Sequence, residues 1–476
     1  MPAPADQPVP LRVAMLSYRG KPHVGGQGVY VSRLSTALTD LGHRVTVLGG
    51  PPYPELDPRV PLVKLGGLDI WAPPHPMRKP RAWELKDWID VAEHVSFVTG
   101  NFSEPMAFSL RAWRHLRRRR SEFDIIHDNQ TLGWGILAIR RQGWPLLETI
   151  HHPITVDRRL ELAHTRTLRE QIGKRRWYAF TKMQTQVAKR LPRVLTVSES
   201  SKRDIVQDHG VAPERIHVVP VGVDPALFSP RPEVARVPGR LITTASADVT
   251  MKGLSFLLEA VAKLRTERHL ELTIIGRAKS DSAASRAISE LGLSGAVTFV
   301  SGVSDDRIVE LYAEAELAVV PSLYEGFSLP AIEAMSCGVP LVATTGGALP
   351  EVAGTHGETC FLTEPGDAEA LAAALRDALD DPGARARVGE AGRRRVINQW
   401  SWRHTAERTV EQYRAVLEDA KRPSGQEAPM RRIRDTLSEA VARAALRSQR
   451  TRAGDTTLNR NTAPAWSITR AEAAGR

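Results

Sequence analysis

Residues 321–340 read Pro321-Ser-Leu-Tyr-Glu-Gly-Phe-Ser-Leu-Pro-Ala-Ile-Glu-Ala-Met-Ser-Cys-Gly-Val-Pro340. An apolar run, Leu317-Ala-Val-Val320, leads into this stretch and reads as a buried strand; residues 330–337 read as the helix after it. Glu325 follows the strand end, and Glu333 lies eight residues on, inside the helix. Gly326 lets the backbone approach a ligand closely. The amides of Phe327, Ser328 and Leu329 then fall at the helix N-terminus, where unpaired N–H groups suit hydroxyls and phosphate. A carboxylate such as Glu333 can accept two hydrogen bonds from a ribose diol. Two glutamates taken alone would be surface acids flanking a turn; the strand, the glycine and the helix start around them favour a binding site.

Outward from this segment, strands and helices alternate. Toward the N-terminus, residues 241–244, 272–275 and 297–300 read as strands, and 254–264, 282–291 and 305–315 as helices; residues 341–343 read as a strand beyond. The first half of the chain has the same rhythm. Leu11-Arg-Val-Ala-Met-Leu16 is a strand, a loop follows with Gly20, Gly25, Gly26 and Gly28, and residues 29–41 are apolar at helical spacing before the strand 44–48. Residues 124–127, 146–150 and 193–197 are further strands. Strict alternation implies an α/β fold with parallel sheets covered on both faces, and two such runs imply two Rossmann-like domains facing across an interdomain cleft. Ligands of such sheets sit beyond the strand C-termini, at the point where strand order reverses. Pro220 and Gly222 interrupt both periods and place the linker near residues 218–224. The expected division is a disordered start over 1–10, an N-terminal acceptor domain over 11–218, and a C-terminal donor domain over 219–397. A last helix over 398–418 is expected to pack back on the first domain, and a basic tail over 421–476 carries one helical stripe at 430–450.

The segment 321–340 resembles the E-x(7)-E signature of family-4 retaining glycosyltransferases of the GT-B fold, the glycosyl transferases group 1. Other stretches resemble that family in its own order. They are Ala343-Thr-Thr-Gly-Gly-Ala-Leu-Pro-Glu351, residues 196–202 (Thr-Val-Ser-Glu-Ser-Ser-Lys), Val218-Val-Pro-Val-Gly-Val-Asp-Pro-Ala-Leu-Phe228, and the N-terminal Gly25-Gly26-Gln27-Gly28 loop. Together they cover about residues 11–415. The resemblance implies that Glu333 binds the ribose of a nucleotide-sugar donor, and that Glu325 with the amides of Gly326, Phe327, Ser328 and Leu329 binds its sugar. It places Lys252, in Met251-Lys252-Gly253, on the diphosphate, with Gly26 facing the phosphates from the other domain. His151, in Glu148-Thr-Ile-His151-His152, matches the family's active-site histidine, with His152 as its neighbour. The catalytic set is then His151, Glu325 and Lys252.

Breaking a sugar–phosphate bond leaves an anionic diphosphate and an oxocarbenium-like sugar, so cations and amides must already be aimed at the leaving group. No Asp-x-Asp occurs in the chain, so the expectation is metal-independent chemistry with no metal ligands and no cofactor beyond the donor. The resemblance implies retention of anomeric configuration without a covalent nucleophile. One departure stands out: Ala245-Ser-Ala-Asp248 occupies the region where the family carries an arginine before its lysine. Arg277, after the strand 272–275, is the candidate to replace that charge; the alternative is an exposed loop arginine.

Composition sets the remaining bounds. Hydrophobic residues make up 42% of 476, enough for ordinary cores, and no apolar stretch approaches the roughly 20 residues of a membrane span. Residues 1–10 hold four prolines and do not read as a signal peptide, and two cysteines, Cys337 and Cys360, are too few for a disulfide framework. Both point to the cytoplasm. The tail 421–476 carries +7 of the net +11, which suggests peripheral contact with an anionic membrane at its inner surface, or else a solubilising extension; nucleic acid is not an expected partner. Arg111 to Arg120 reads as a solvated helix face or a second basic patch; Trp71, Trp83 and Trp88 could stack on sugars or pack a local core, and packing is the favoured reading. Three alternatives stay open: a non-catalytic nucleotide-sugar-binding protein, an epimerase, and a phosphorylase. A dehydrogenase fits worst, because the Gly25 loop lacks the full G-x-G-x-x-G spacing. Neither the acceptor nor the donor's base and sugar is legible.

Overall fold

The computed structural model describes residues 9–20, 26–70, 72, 77–163, 165, 167–245, 249–277 and 282–421. Seven strands form the first sheet: β1 (Arg12–Ser17), β2 (Arg44–Gly49), β3 (Leu62–Lys64), β4 (Ile125–Asn129), β5 (Leu146–Thr149), β6 (Val194–Thr196) and β7 (Ile216–Val218). Six form the second: β8 (Arg240–Thr244), β9 (Glu271–Ile275), β10 (Val297–Val300), β11 (Leu317–Val320), β12 (Leu341–Thr344) and β13 (Phe361–Thr363). The orders are β3-β2-β1-β4-β5-β6-β7 and β10-β9-β8-β11-β12-β13. Every neighbouring pair is parallel. Strand order therefore reverses between β1 and β4 in one sheet and between β8 and β11 in the other, which puts each domain's crevice beside those strand ends.

Alternate residues of β1 show how the sheet is covered on both faces. Val13 and Met15 pack with Tyr30, Leu34 and Leu38 of the helix Gly26–Asp40, in a core that continues through Ile332 and Met335 of the second domain. Ala14 and Leu16 point the other way, into a core with Phe108, Ile126 and Leu146. A third core, with Leu257, Leu272 and Leu375, covers the far face of the second sheet. Burying one such side chain contributes about 1.5–3 kcal/mol. The layer shared by both domains is thus a substantial part of what holds them face to face.

The chain crosses between the domains twice, side by side. The first crossing runs through residues 219–224, and the second at residues 400–402. Val223 bridges Ser401, its amide donates to Trp400 O at 3.3 Å, and Thr405 Oγ1 donates to Pro220 O at 2.9 Å. A Cβ on Gly222 would lie 2.2 Å from both Ser401 C and Trp402 N, so only glycine lets the strands of the linker touch. This crossing corrects the expected last helix over 398–418. One helix, Pro382–Gln399, ends there, Trp400 and Ser401 are extended, and a new helix runs over Trp402–Lys421. The new helix packs on the first domain: Tyr413 meets His127, and Arg193 Nη1 donates to Gln412 Oε1 at 2.8 Å.

Two further expectations change. Arg111 is not solvated; it is 5% exposed and donates to Asp90 and Glu93, each at 2.6 Å. These two acids lie on the inner face of the helix Trp88–Val98, because Arg111 satisfies their charge there. Trp83 and Trp88 form no local core; they are 71% and 57% exposed. Trp71 lies outside the described residues, as do the tail 422–476, its stripe at 430–450 and residues 1–8. No described helix is long and apolar enough to cross a membrane.

Candidate active site

Lys252 and Glu325 stand on the loops that leave β8 and β11, the two strands at the reversal point of the second sheet. Lys252 ends a short 3-10 turn, Thr250–Lys252, which the left-handed Gly253 (φ 65°) terminates. A Cβ on Gly253 would sit 1.9 Å from Pro321 O, so the glycine brings the lysine loop flush against the loop that carries Glu325. Lys252 Nζ donates to Glu325 Oε1 at 2.7 Å, and Ser322 Oγ donates to the same oxygen at 2.7 Å. The carboxylate is 8% exposed, and these two bonds offset the cost of burying its charge.

Downstream, Ser328 adopts φ 95° and leads the helix Leu329–Ser336. Among the described residues its buried hydroxyl has no hydrogen-bond partner, and the amides of Phe327, Ser328 and Leu329 have no acceptor. A bound hydroxyl or phosphate would satisfy these groups. The Phe327 ring does not face the cleft; it packs edge-on against Trp400, with ring centres 5.7 Å apart. Glu333, one turn into the helix, is half-buried, and its carboxylate has no hydrogen-bond or ion-pair partner among the described residues. Burial pushes its pKa up to about 7, Asp305 adds to the rise, and Arg33 of the other domain opposes it. Arg33 and Asp305 themselves form an ion pair between the two domains.

The first domain supplies His151 and His152, directly after β5. Gln130, after β4, clamps both: Oε1 accepts from the His151 amide at 2.8 Å, and Nε2 donates to His152 O at 3.0 Å. Gln130 holds φ 57° to do so, the kind of backbone strain that collects at functional sites. His151 Nε2 lies 2.8 Å from Asn129 Oδ1, which can only accept, so Nε2 carries the hydrogen and Nδ1 keeps its lone pair. Burial, with smaller contributions from His152 and His127, pushes the His151 pKa down to about 3, so the ring is uncharged at neutral pH. Tyr30 stands edge-on to it at 4.6 Å. Behind Tyr30 runs a buried chain, Tyr30 to Thr149 (3.4 Å), Thr149 to His127 (2.7 Å) and His127 to Tyr413 (2.7 Å), which ties the last helix to the histidine's surroundings.

The two halves close on each other here. Ser198 and Ser201 hydroxyls donate to Gly326 O at 2.7 and 3.2 Å, and a Cβ on Gly326 would lie 3.0 Å from His151 O. Tyr324 OH donates to Asp204 Oδ2 at 2.6 Å. Glu351 accepts from the amides of Glu199 at 3.0 Å and Ser200 at 3.3 Å, placing a carboxylate on the N-terminus of the helix Glu199–Asp204. Three motifs far apart in sequence thus meet at one seam.

The chain matches the family model described as glycosyl transferases group 1 over residues 230–395 and that of glycosyltransferase family 4 over residues 24–227. It is 50% identical over 408 residues to the MMP α-(1→4)-mannosyltransferase of Mycolicibacterium hassiacum, covering 86% of this chain and 98% of that one. The chain belongs to the glycosyl transferases group 1 family. As a member of this family it is a glycosyltransferase of the GT-B fold. It is also 29% identical to the D-inositol 3-phosphate glycosyltransferase of Rhodococcus jostii, over 85% of this chain and 89% of that one. Among solved structures, sucrose-phosphate synthase from Thermosynechococcus elongatus superposes with TM-score 0.67 at 22% identity, over 86% of this chain and all of that one. Anabaena HepE in complex with UDP-glucose gives 0.62 at 18% identity, over 85% of this chain and all of that one. These last two likenesses are of fold.

Of the residues singled out in the sequence, Glu325, Lys252, Gly326, His151 and the 327–329 amides come together around the seam. Glu333 lies further along, beside Arg33 and Asp305. Gly26 begins the helix Gly26–Asp40, and among the described residues nothing lies within 4 Å of a Cβ built on it. Arg277 is exposed two residues past β9, with no hydrogen-bond or ion-pair partner among the described residues, and nothing links it to Lys252 or Glu325. Residues 246–248, where the family arginine is missing, lie outside the described residues. The sequence reading assigned no role to Asn129, Gln130, Asp157 or Glu351. Polar residues at the end of a strand were the available signal for the first two.

Proposed function

We propose that this glycosyltransferase moves a mannosyl group from a nucleoside-diphosphate α-mannose to a sugar hydroxyl, forming an α-(1→4) bond with retention and without a metal. The observation that carries the reading is the Lys252–Glu325 pair beside a Ser328 hydroxyl and three amides that have no partner among the described residues, facing His151 from the other domain. The sugar named by the relative at 50% identity supports mannose and the α-(1→4) linkage. A donor that is α at its anomeric carbon and a product that is α require retention.

The residues divide the work as follows. Glu333 takes the ribose diol, and the 327–329 amides with Ser328 hold sugar or phosphate oxygens. Lys252 neutralises the diphosphate as the sugar–phosphate bond breaks, and a leaving phosphate oxygen takes the acceptor's proton. His151 stays uncharged beside the developing oxocarbenium ion, so it places no positive charge there. Lys252 and backbone amides supply the positive field, and the sequence has no Asp-x-Asp to hold a divalent ion on the diphosphate.

The test is incubation of the purified chain with UDP-, GDP- and ADP-linked mannose and, in parallel, glucose, together with an α-(1→4)-linked mannooligosaccharide, with and without EDTA. Product linkage is read by NMR. An extended α-linked product formed equally well in EDTA is expected. A β-linked product, or transfer of glucose but never mannose, overturns the proposal.

A further inference from the structure

The helix Trp88–Val98 carries an apolar stripe that the donor site does not use. Its inner face sets Ile89, Asp90 and Glu93 into the first domain, where each acid pairs with Arg111 at 2.6 Å. On the opposite side, about 170° round the helix, stand Trp88, Val91, Val95 and Val98. All four are exposed, between 45% and 57%. Trp83, in the 3-10 turn Ala82–Glu84 that leads into the helix, is more exposed still. The helix is firmly made. Asp87 caps it, Oδ1 accepting from the amides of Ile89 at 2.8 Å and Asp90 at 3.1 Å, and Arg114 pairs with the other carboxylate oxygen. The stripe is thus a fixed surface rather than a frayed end.

Spacing, charge and shape together say what covers it. The four residues are separated by three, four and three positions, the repeat of a helix that packs its side chains into the holes of another helix. The helix has no Lys or Arg, and both of its acids turn inward to Arg111. Ala92 and His94, which flank the stripe, add no carboxylate. Two copies meeting face to face therefore bring no like charges together. A helix lying in a membrane surface sets Lys and Arg along its polar side, and this one has none to set.

An antiparallel pair about a two-fold axis places Trp88 against Val98 of the second copy, and Val91 against its Val95, so the large side chain meets a small one. A parallel pair would force Trp88 onto Trp88. The antiparallel pair also sets each helix N-terminus beside the other's C-terminus, where the dipoles attract. Scaled by exposure, the stripe and Trp83 offer roughly 550 Å² per copy, against about 800 Å² per partner in a specific interface, so their neighbours need supply only the rim.

We propose that the chain is a homodimer in solution, formed by antiparallel packing of the helix Trp88–Val98 on the same helix of a second copy. The interface shares no residue with the donor site, so the proposal does not depend on the transferase reading.

The test is sedimentation velocity of the full chain over a concentration series, which is expected to show a dimer that dissociates on dilution. Val95→Asp brings two carboxylates together near the two-fold axis and should raise the dimer Kd at least tenfold, with an unchanged far-ultraviolet circular dichroism spectrum. The packing is read separately from disulfides, because the chain's own Cys337 and Cys360 are buried. A mixture of Val91→Cys and Val95→Cys chains should cross-link unlike chains at least tenfold faster than like ones, and this readout decides the matter should Val95→Asp fail to fold. A chain that stays monomeric at every concentration overturns the proposal. So does a dimer whose Kd a folded Val95→Asp leaves unchanged, or one that cross-links like with like. Monomers that float with anionic phospholipid vesicles, and lose that binding in Val95→Asp, would make a membrane the occupant and overturn it too.

Discussion

Nucleotide-sugar binding should titrate with Glu333. The carboxylate is half-buried without a partner among the described residues, and burial together with Asp305 lifts its pKa to about 7. The ribose diol can only donate to it fully when it is ionised. With a pKa near 7, roughly one molecule in eleven is ionised at pH 6 and ten in eleven at pH 8. Apparent Kd scales inversely with the competent fraction, so affinity should rise about tenfold between these pH values and level off above. The sign in the unliganded protein is opposite. An acid whose pKa is raised on folding contributes stability below its unfolded value, near 4.5, and loses that contribution as pH rises toward 7.

The assay is isothermal titration calorimetry with an intact nucleotide sugar, whose diphosphate diester does not itself titrate near neutrality. Two buffers of different ionisation enthalpy count the proton released below pH 7. Glu333→Gln should bind more weakly at pH 8, because hydrogen bonds to a charged acceptor are worth about 1.5–3 kcal/mol. Its pH dependence should flatten, leaving only what His152 contributes. A wild-type Kd equal at pH 6 and 8, or the same slope in Glu333→Gln, would refute the assignment of the ribose to this carboxylate.

Three other outcomes are expected. Lys252→Ala should lower kcat/KM about 10- to 150-fold, the loss of one charge-assisted hydrogen bond to the diphosphate; steady-state kinetics with the sugar acceptor checks it, and an unchanged kcat/KM removes Lys252 from the leaving-group role. Tyr413→Phe strips the partner from His127 Nδ1, 2.7 Å away and fully buried, and should cost about 1–3 kcal/mol of stability, read from urea unfolding. Asp128 and Glu148 are neighbouring, fully buried acids on β4 and β5, and burial, reinforced for Glu148 by Asp128, raises the pKa of both. The native state therefore holds protons that the unfolded chain releases, and stability falls as pH climbs from about 4.5. Glu148→Gln should flatten that fall in melting curves taken from pH 5 to 8.

Much of this architecture is local and was legible in the chain. Buried parallel strands such as Leu317–Val320 read as apolar runs, and the helix Leu254–Leu264 carries its period openly, because each element's pattern is set by its own solvent boundary. The three-residue strands β3, β7 and β13 were missed, since three residues cannot show a period and their pairing is decided by neighbours. The break at Trp400 and Ser401 was missed for a related reason: a bridge to Val223, over 170 positions away, ends the helix there.

By itself, the sequence determined the two-domain α/β class, the family, and the donor segment from Glu325 to Glu333, because these rest on contiguous residues whose spacing fixes strand, turn and helix start. Only the tertiary structure decided what stands opposite that segment. Gln130 holding His151, Glu351 capping the helix Glu199–Asp204, and Tyr324 donating to Asp204 each join residues from separate elements. Such contacts follow from how two sheets pack across one seam, and no local pattern encodes them. Arg111 is the plainest case: the sequence reads as one more basic residue in a charged run, and burial against Asp90 and Glu93 makes it a structural cation instead.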